Sequence, residues 1–277
     1  VGVALERGDL PSLDVPAADW IPQWQGTEHE AIALRDLLSM SSGLQFDMIA
    51  DNVTLPLAED MTTLALNAPV TAPPGARWEY NNHSVQAMEP VLRAATGMAA
   101  DDYADVHLFG PLGMDVDWKR DERGQPALYM NAKASCRDNA RLAYLMMHDG
   151  CWEGERILSS EFVADAIGPS TGHNRGYGYW WWKNGEEPTL DSVTFEDKGH
   201  ALHPYAPDDA FCAVGLGSQF VEAIPSLDLV VVRLGTAPHD DLANWLDPLA
   251  LYEAISTDGE QHVHNGVLER VLEAVVE

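Results

Sequence analysis

The sequence predicts an α+β fold, that is, a mixed α/β protein in which an antiparallel sheet is flanked by helices and joined to a mostly helical region. Two observations carry this prediction. Apolar residues over 83–96 recur every three to four positions, which is typical of an amphipathic helix. The last third of the chain instead holds runs rich in aromatic and β-branched residues, such as 219–224 and 227–234. Helices followed by antiparallel strands differ from regular βαβ alternation.

The chain is expected to form one domain. At 277 residues it can bury a sizeable core, and it contains no internal repeat, low-complexity tract or long linker. We therefore predict a single domain over 1–277. Residues from about 25 to 170 form its mostly helical region, and residues from about 171 to 277 form the sheet and the C-terminal helices.

The beginning of the chain predicts two helices. Residues 1–8 are typical of the last turns of a helix that ends at Gly8, a common C-terminal cap. We therefore expect the sequence to begin inside a secondary-structure element. A second helix is predicted over 31–40, and it ends in the small-residue turn Ser41-Ser42-Gly43.

A loop entering a helix follows at 73–96. Residues 73–80 predict a Pro-Pro-Gly turn and then a short extended run that ends at Tyr80. The amphipathic helix over 83–96 comes next, with Asn81 or Asn82 as its N-cap and Gly97 as its terminator. Tyr80 and Asn82 are therefore predicted to lie where a loop enters a helix.

The second half of the chain predicts further helices and the sheet. One helix is expected over 103–109, and a longer one begins at Ser135, where Asp138 suggests a capping box, and stops at Gly150. Strands are predicted at 177–182, 211–216, 219–224 and 227–234, followed by helices at 242–255 and 267–276. Pro225-Ser226 favours a tight antiparallel connection between the last two strands.

The charge of the chain is strongly negative. Sixteen basic residues stand against 44 acidic ones, which gives a net charge of −28. Such a surface repels nucleic acid and anionic lipid, and no apolar run approaches the roughly 20 residues that a membrane span needs. An acidic surface adapted to high salt and a merely acidic protein both fit this composition.

No metal or cofactor is expected from the sequence. The three cysteines, Cys136, Cys151 and Cys212, form no CxxC pair and are predicted to be small buried hydrophobic residues. The only close histidine pairs, 200/203 and 262/264, belong to no HExxH motif and have no third ligand at a recognisable spacing.

Several segments, in order along the chain, resemble the serine β-lactamase-related superfamily of β-lactamases, penicillin-binding proteins and esterases. The similarity is greatest to its esterase and 6-aminohexanoate-dimer hydrolase branches, and it covers nearly the whole chain. The segments that carry it are LRDLLSMSSGL at 34–44, PGARWEYNN at 74–82, LFGPLGM at 108–114 and GLGSQ at 215–219. The resemblance implies a β-lactamase/transpeptidase-like fold whose first strands and nucleophile helix are largely missing from this sequence.

The resemblance also implies acyl transfer through a serine in an S-x-x-K motif. Tyr80 and Asn82 match the tyrosine and asparagine of the Y-x-N motif, and Tyr80 would help to move the proton of the serine. The Gly217 strand would lie beside the substrate, with an oxyanion N–H from Ser218 or Gln219. Without the resemblance, Tyr80 is an aromatic residue at the end of a loop, and the glycines mark only a β-bulge.

The third motif has no cationic residue. It is either 215–217 (Gly-Leu-Gly) or 216–218 (Leu-Gly-Ser), and neither alignment places Lys, His or Arg there. In β-lactamases the cation of this motif serves the carboxylate of the antibiotic, so its absence favours ester or amide substrates. We expect a small-molecule ester or amide as the substrate.

The chain contains no S-x-x-K motif. We therefore expect the nucleophile upstream of Val1, and we expect the chain as given to be inactive. A non-catalytic binding protein on the same fold is the alternative. Ser42 is a possible substitute nucleophile, but a role in the turn after a helix is preferred. The run Trp180-Trp181-Trp182 either lines a cleft or covers the sheet.

Overall fold

A computed structural model describes residues 1–215, 219–235 and 257–276 of the chain. The chain divides into two compact units. Unit 1 comprises Val1–Ala134 and Asp149–Val163, and unit 2 comprises Ser135–His148 and Ala164–Glu277. The single domain predicted over 1–277 stays a prediction.

Unit 1 consists mainly of short helices. Their bounds are Gly2–Glu6 (α1), Leu34–Leu38 (α2), Met61–Leu66 (α3), Asn82–Gln86 (α4), Met88–Thr96 (α5), Ala100–Ala104 (α6) and Gly110–Leu112 (α7). Two small antiparallel hairpins complete it: Asp117–Trp118 (β1) with Ala132–Lys133 (β2), and Cys151–Trp152 (β3) with Glu155–Arg156 (β4). A buried cluster of Leu55, Met61, Ala65 and Ala127 forms part of its core.

The predicted helix over 83–96 is present as two consecutive helices. Helices α4 and α5 are separated only by Ala87, and the apolar stripe is buried, with Met88 fully inaccessible to solvent. Gly97 ends α5 with a left-handed φ of 74°, and its N–H donates to the carbonyl of Arg93. Burial of one face against the rest of unit 1 stabilises these helices, since neither is long enough to be stable alone.

Helix α2 is shorter than the helix predicted over 31–40. The Asp36 carboxylate accepts a hydrogen bond from the N–H of Ala33, which fixes the first turn. Met40 has a φ of 58°, a left-handed conformation that ends the helix before the predicted boundary. Gly43 in the following turn has a φ of 78°, and a Cβ at this position would collide with the carbonyl oxygen of Ala72.

The helix predicted over 103–109 begins earlier than expected. Helix α6 starts at Ala100, and Asp105–Phe109 continues it as a wider π-helical turn that leads into α7. The acidic residues of the first turn favour this start because they lie near the positive end of the helix dipole.

Unit 2 is built on one antiparallel sheet. The strands run Trp182–Lys183 (β5), Phe211–Gly215 (β6), Gln219–Ile224 (β7) and Leu229–Arg233 (β8), and they neighbour one another in that order. Its helices are Cys136–Met147 (α8) and Thr257–Val276 (α10), while Ser160–Ile167 (α9) runs from unit 1 into unit 2. Leu268 of α10 packs on Ala210 and Ile224, which places part of the core on the sheet.

Three sequence predictions for unit 2 are confirmed. Ser135 caps α8, and its hydroxyl and the Asp138 carboxylate form the expected capping box. Strand β7 has the predicted bounds, and β7 and β8 pair antiparallel across the turn Pro225–Leu227.

None of the helices in the described ranges is long and apolar enough to cross a membrane.

The strand predicted at 177–182 is wrong. Only Trp182–Lys183 joins the sheet, because Trp180 adopts a left-handed φ of 64° that reverses the chain. Tyr177 then forms a bridge with Trp182, and the N–H of Gly178 donates to the carbonyl of Trp181 at 2.8 Å. This aromatic segment is therefore a tight turn that folds back on itself.

Other boundaries also differ from the predictions. The last helix begins at Thr257, ten residues before the predicted start at 267, and β8 begins two residues later than predicted. The helix predicted at 242–255 lies outside the described residues. Cys212 is buried as predicted, but Cys136, the first residue of α8, is exposed, and Cys151 is only half-buried.

Candidate active site

Tyr80 ends the irregular segment that leads into α4. The N–H of Glu79 donates to the carbonyl of Met40 at 2.8 Å, which holds this segment beside the turn after α2. The Tyr80 side chain is half-buried, and its ring meets the buried Trp78 ring edge-on at a centroid distance of 6.4 Å. The predicted position of Tyr80 at a loop entering a helix is what the structure has.

The two asparagines after Tyr80 have different tasks. Asn81 is the N-cap of α4, because its Oδ1 accepts a hydrogen bond from the N–H of Ser84 at 2.9 Å. Its Nδ2 donates to the carbonyls of Leu44 and Gln45. Asn82 is the first helical residue, and its Nδ2 donates to the backbone carbonyl of Asp51 at 3.2 Å.

A buried carboxylate beneath the start of α4 organises this region. Asp51 is 1% exposed, and its Oδ1 accepts a hydrogen bond from the backbone N–H of Asn82 at 2.8 Å. The same oxygen lies 3.1 Å from Nδ1 of His83, which is also buried. Oδ2 of Asp51 accepts from the N–H of Asp47 at 3.0 Å. One side chain thus connects the π-helical turn Ala50–Thr54 with the two residues that follow the N-cap.

A pair of serine hydroxyls joins α4 to the turn after α2. Oγ of Ser42 lies 2.8 Å from Oγ of Ser84, and both side chains are buried. Ser42 Oγ also accepts the N–H of Leu44 at 3.2 Å. These contacts support the turn role that the sequence favours for Ser42, since its hydroxyl stabilises the local backbone.

Two neighbouring serines of the same turn form a chain of hydrogen bonds that ends at Asp36. Ser39 and Ser41 share a hydrogen bond of 2.8 Å between their hydroxyls, and Ser41 donates to Asp36 at 3.5 Å. Burial raises the pKa of Asp36, and hydrogen bonds from Ala33 and Ser41 partly oppose that shift. The turn is therefore also stabilised by hydrogen bonds among its own buried serine side chains and Asp36.

The strand of the third motif belongs to unit 2. Gln219 opens β7 opposite Gly215 of β6. Its side-chain amide bonds both backbone groups of Gly235: Nε2 donates to the carbonyl, and Oε1 accepts the N–H at 2.9 Å. Gly217 and Ser218 lie outside the described residues, so the roles predicted for them stay predictions.

The tryptophan run lies against the sheet within unit 2. The buried Trp182 ring meets Tyr177 edge-on at 4.8 Å, and Trp181 meets Phe211 of β6 at 5.4 Å. These contacts favour the role of covering the sheet over that of lining a cleft for Trp181 and Trp182.

The structure thus brings part of the predicted site together. Tyr80 and Asn82 lie on either side of the N-cap of α4 in unit 1, while Gln219 lies in unit 2. Sequence reasoning missed Asp51 and His83. No motif or periodicity marks Asp51, which lies in the π-helical turn Ala50–Thr54, 31 residues before Asn82.

Solved structures share this fold. A candidate 6-aminohexanoate-dimer hydrolase from Bacillus anthracis superposes with a TM-score of 0.69 at 20% identity, covering 95% of this chain and 69% of that one. A candidate β-lactamase from Bacteroides dorei gives 0.63 at 22% identity, over 87% and 75% of the two chains. EstCE1, a hydrolase with promiscuous acyltransferase activity, gives 0.63 at 17% identity, over 92% and 80%.

The family follows from the sequence match. A comparison with curated proteins finds no significant match. The family model described as Beta-lactamase, however, matches residues 1–252. This match spans most of the chain, and the solved structures agree with it in fold, so the chain belongs to the β-lactamase family.

Proposed function

We propose that this protein is a serine hydrolase that cleaves ester or amide bonds through an acyl-enzyme. The observation that carries the proposal is the arrangement at the start of α4 in a chain of the β-lactamase family. Tyr80 precedes the N-cap, Asn82 follows it, and the buried Asp51 bonds the backbone of Asn82. A preorganised polar turn of this kind suits proton transfer, because its groups need not reorganise during the reaction.

The proposed nucleophile is a serine in an S-x-x-K motif upstream of Val1. A serine hydroxyl attacks an acyl carbon only when a base withdraws its proton, and Tyr80 with the lysine of that motif would do so. Asn82 would orient the substrate amide or the lysine. Because residues 1–277 contain no S-x-x-K, the chain as given is proposed to be inactive.

Backbone N–H groups at the β6–β7 connection would stabilise the oxyanion. The donor is proposed to be Ser218 or Gln219, and Gly217 would let the substrate approach the strand. The Gln219 side chain is bonded to Gly235, so its backbone N–H rather than its amide is the proposed donor.

Esters and amides without a carboxylate recognition group are the proposed substrates. The third motif offers no Lys, His or Arg to bind the carboxylate of a β-lactam. Two structural neighbours support this choice by their descriptions, one as a 6-aminohexanoate-dimer hydrolase and one as a hydrolase with acyltransferase activity.

Active-site labelling tests the nucleophile. The protein is expressed with the codons upstream of Val1, treated with a fluorophosphonate probe, and digested for mass spectrometry. We expect one labelled serine, followed three positions later by lysine, and hydrolysis of nitrophenyl esters. Label on a serine within 1–277, or no label and no hydrolysis, would refute the proposal, and the latter outcome favours a non-catalytic binding protein.

Tyr80→Phe tests the proton transfer. Removing the hydroxyl is expected to lower kcat for a nitrophenyl ester by about 10²–10⁴-fold, the usual contribution of a positioned acid or base. Tyr205→Phe is the matched control, because that side chain is 55% exposed and lies outside the proposed site. Full activity of Tyr80→Phe with an unchanged melting temperature would remove Tyr80 from the mechanism.

A further inference from the structure

Three side chains of types that bind metal ions lie close together in the core of unit 2. Cys212 of β6 and Glu222 of β7 are directly paired across the two antiparallel strands, so their side chains lie on the same face of the sheet. His203, from the loop before β6, places Nδ1 at 3.2 and 3.0 Å from the two oxygens of Glu222. The exposed fractions of His203, Cys212 and Glu222 are 1%, 1% and 0%.

The loop that carries His203 is held by its own hydrogen bonds. The buried Asn184 accepts the N–H of His203 at 3.0 Å through Oδ1. Its Nδ2 lies 3.1 Å from the carbonyl oxygens of both His203 and Ala206. Because the backbone of His203 is fixed on both sides, the imidazole stays close to Glu222 without help from a ligand.

The distances suit one metal ion. A ligand atom from each of the three side chains lies within 4.8 Å of the other two. Zinc binds sulfur at about 2.3 Å and nitrogen or oxygen at about 2.0–2.2 Å, so two ligands of one tetrahedral ion lie roughly 3.3–3.7 Å apart. Small side-chain shifts would therefore bring all three atoms onto one ion, and a water molecule would fill the fourth position.

The charges also suit a divalent cation. A thiolate, a carboxylate and a neutral imidazole together carry two negative charges, which a Zn²⁺ ion cancels, and a neutral cluster is the form that a buried position favours. Without a cation, Cys212 keeps its proton and hydrogen-bonds Glu222, and burial raises the pKa of the thiol well above its usual range.

We propose that His203, Cys212 and Glu222 form a zinc site that ties the loop before β6 to strands β6 and β7. The site is independent of the proposed hydrolase chemistry, because Tyr80, Asn82 and Gln219 take no part in it. All three ligands are shielded from solvent, so the ion would hold the loop and the two strands together rather than act on a substrate. No spacing pattern reveals it, because Cys212 and Glu222 meet through strand pairing rather than through a sequence motif.

Cobalt substitution tests the site directly. The purified protein is titrated with Co²⁺ in molar KCl with excess Mg²⁺, which suppresses binding to the acidic surface. We expect one equivalent of Co²⁺ per chain, a thiolate-to-cobalt charge-transfer band in the near ultraviolet, and displacement of cobalt by Zn²⁺. Absence of this band overturns the proposal.

Cysteine variants identify the ligand. Cys136→Ser/Cys151→Ser leaves Cys212 as the only one of the three cysteines in the sequence, and this variant should keep the band. Cys212→Ser should lose it, and His203→Gln should weaken Zn²⁺ binding by at least about 10-fold. Loss of the band in the double variant, or unchanged binding in Cys212→Ser, would show that the metal binds elsewhere. If Cys212→Ser does not fold, the double variant decides alone.

Discussion

Replacing Asp51 with alanine should destabilise unit 1 strongly. The carboxylate is 1% exposed and bonds the backbone N–H groups of Asn82 and Asp47 as well as the ring of His83. The alanine variant would remove the acceptor of these three groups, of which the His83 ring is buried and Asn82 is half-buried. A buried polar group that loses its partner is costly, because water cannot replace the lost hydrogen bond.

The expected loss of stability can be bounded from these contacts. A hydrogen bond to a charged group contributes about 1.5–3 kcal/mol, so three of them set an upper limit of about 9 kcal/mol. Local relaxation and water entry reduce this figure, and removing one member of a buried charged network typically costs about 3–5 kcal/mol. We expect a value in the latter range for Asp51→Ala. We expect about 2 kcal/mol for Asp51→Asn, which keeps one acceptor oxygen and loses the other.

Urea unfolding measures this loss. Tryptophan fluorescence and far-ultraviolet circular dichroism give the midpoint and slope, from which the free energy of unfolding is obtained. Asp117→Asn is the matched control, since that side chain is 80% exposed and should change stability by less than about 0.5 kcal/mol. A similarly small change in Asp51→Ala would refute the network, because a solvated carboxylate would not support α4.

Three further predictions concern stability. Gly43→Ala should lower the free energy of unfolding in urea by about 1–3 kcal/mol more than Gly124→Ala does. Both glycines have a φ of 78°, but only at Gly43 would a Cβ collide with a backbone atom, so equal losses would contradict the close contact. Burial raises the pKa of Glu89, so wild-type stability should fall as pH rises above about 4.5, the usual pKa of this carboxyl. The Glu89→Gln variant should lack this fall, and parallel pH profiles of stability for the two proteins would show that the raised pKa is wrong. The net charge of −28 predicts a higher melting temperature in molar KCl than at low salt, and unchanged melting would argue against a salt-adapted surface.

Local chemistry explains which elements the sequence predicts well. The capping box of Ser135 and Asp138 and the terminator Gly97 act within a few residues, so their signals are complete in the sequence. The tryptophan run at 180–182 shows the limit of such signals. Its composition favours a strand, but the backbone reverses at Trp180 so that Trp181 and Trp182 can pack on different partners, and tertiary packing overrides strand propensity there.

The candidate site divides in the same way. The sequence indicates Tyr80 and Asn82 because the whole Y-x-N motif lies within three consecutive residues. Asp51 contacts Asn82 across 31 residues, and Cys212 meets Glu222 through the register of two strands. Such contacts depend on the fold of the whole unit, so neither residue type nor spacing along the chain indicates them.

The hydroxyl contact between Ser42 and Ser84 has a consequence for folding kinetics. It joins residues 42 positions apart, and closing a loop of that length costs about 3 kcal/mol of chain entropy before any contact compensates. Helix α4 has only five residues and cannot nucleate alone. The segment with Tyr80 and Asn82 should therefore order only in a late, cooperative step, once the chain has closed around the turn after α2, so this part of the molecule has no stable half-assembled state.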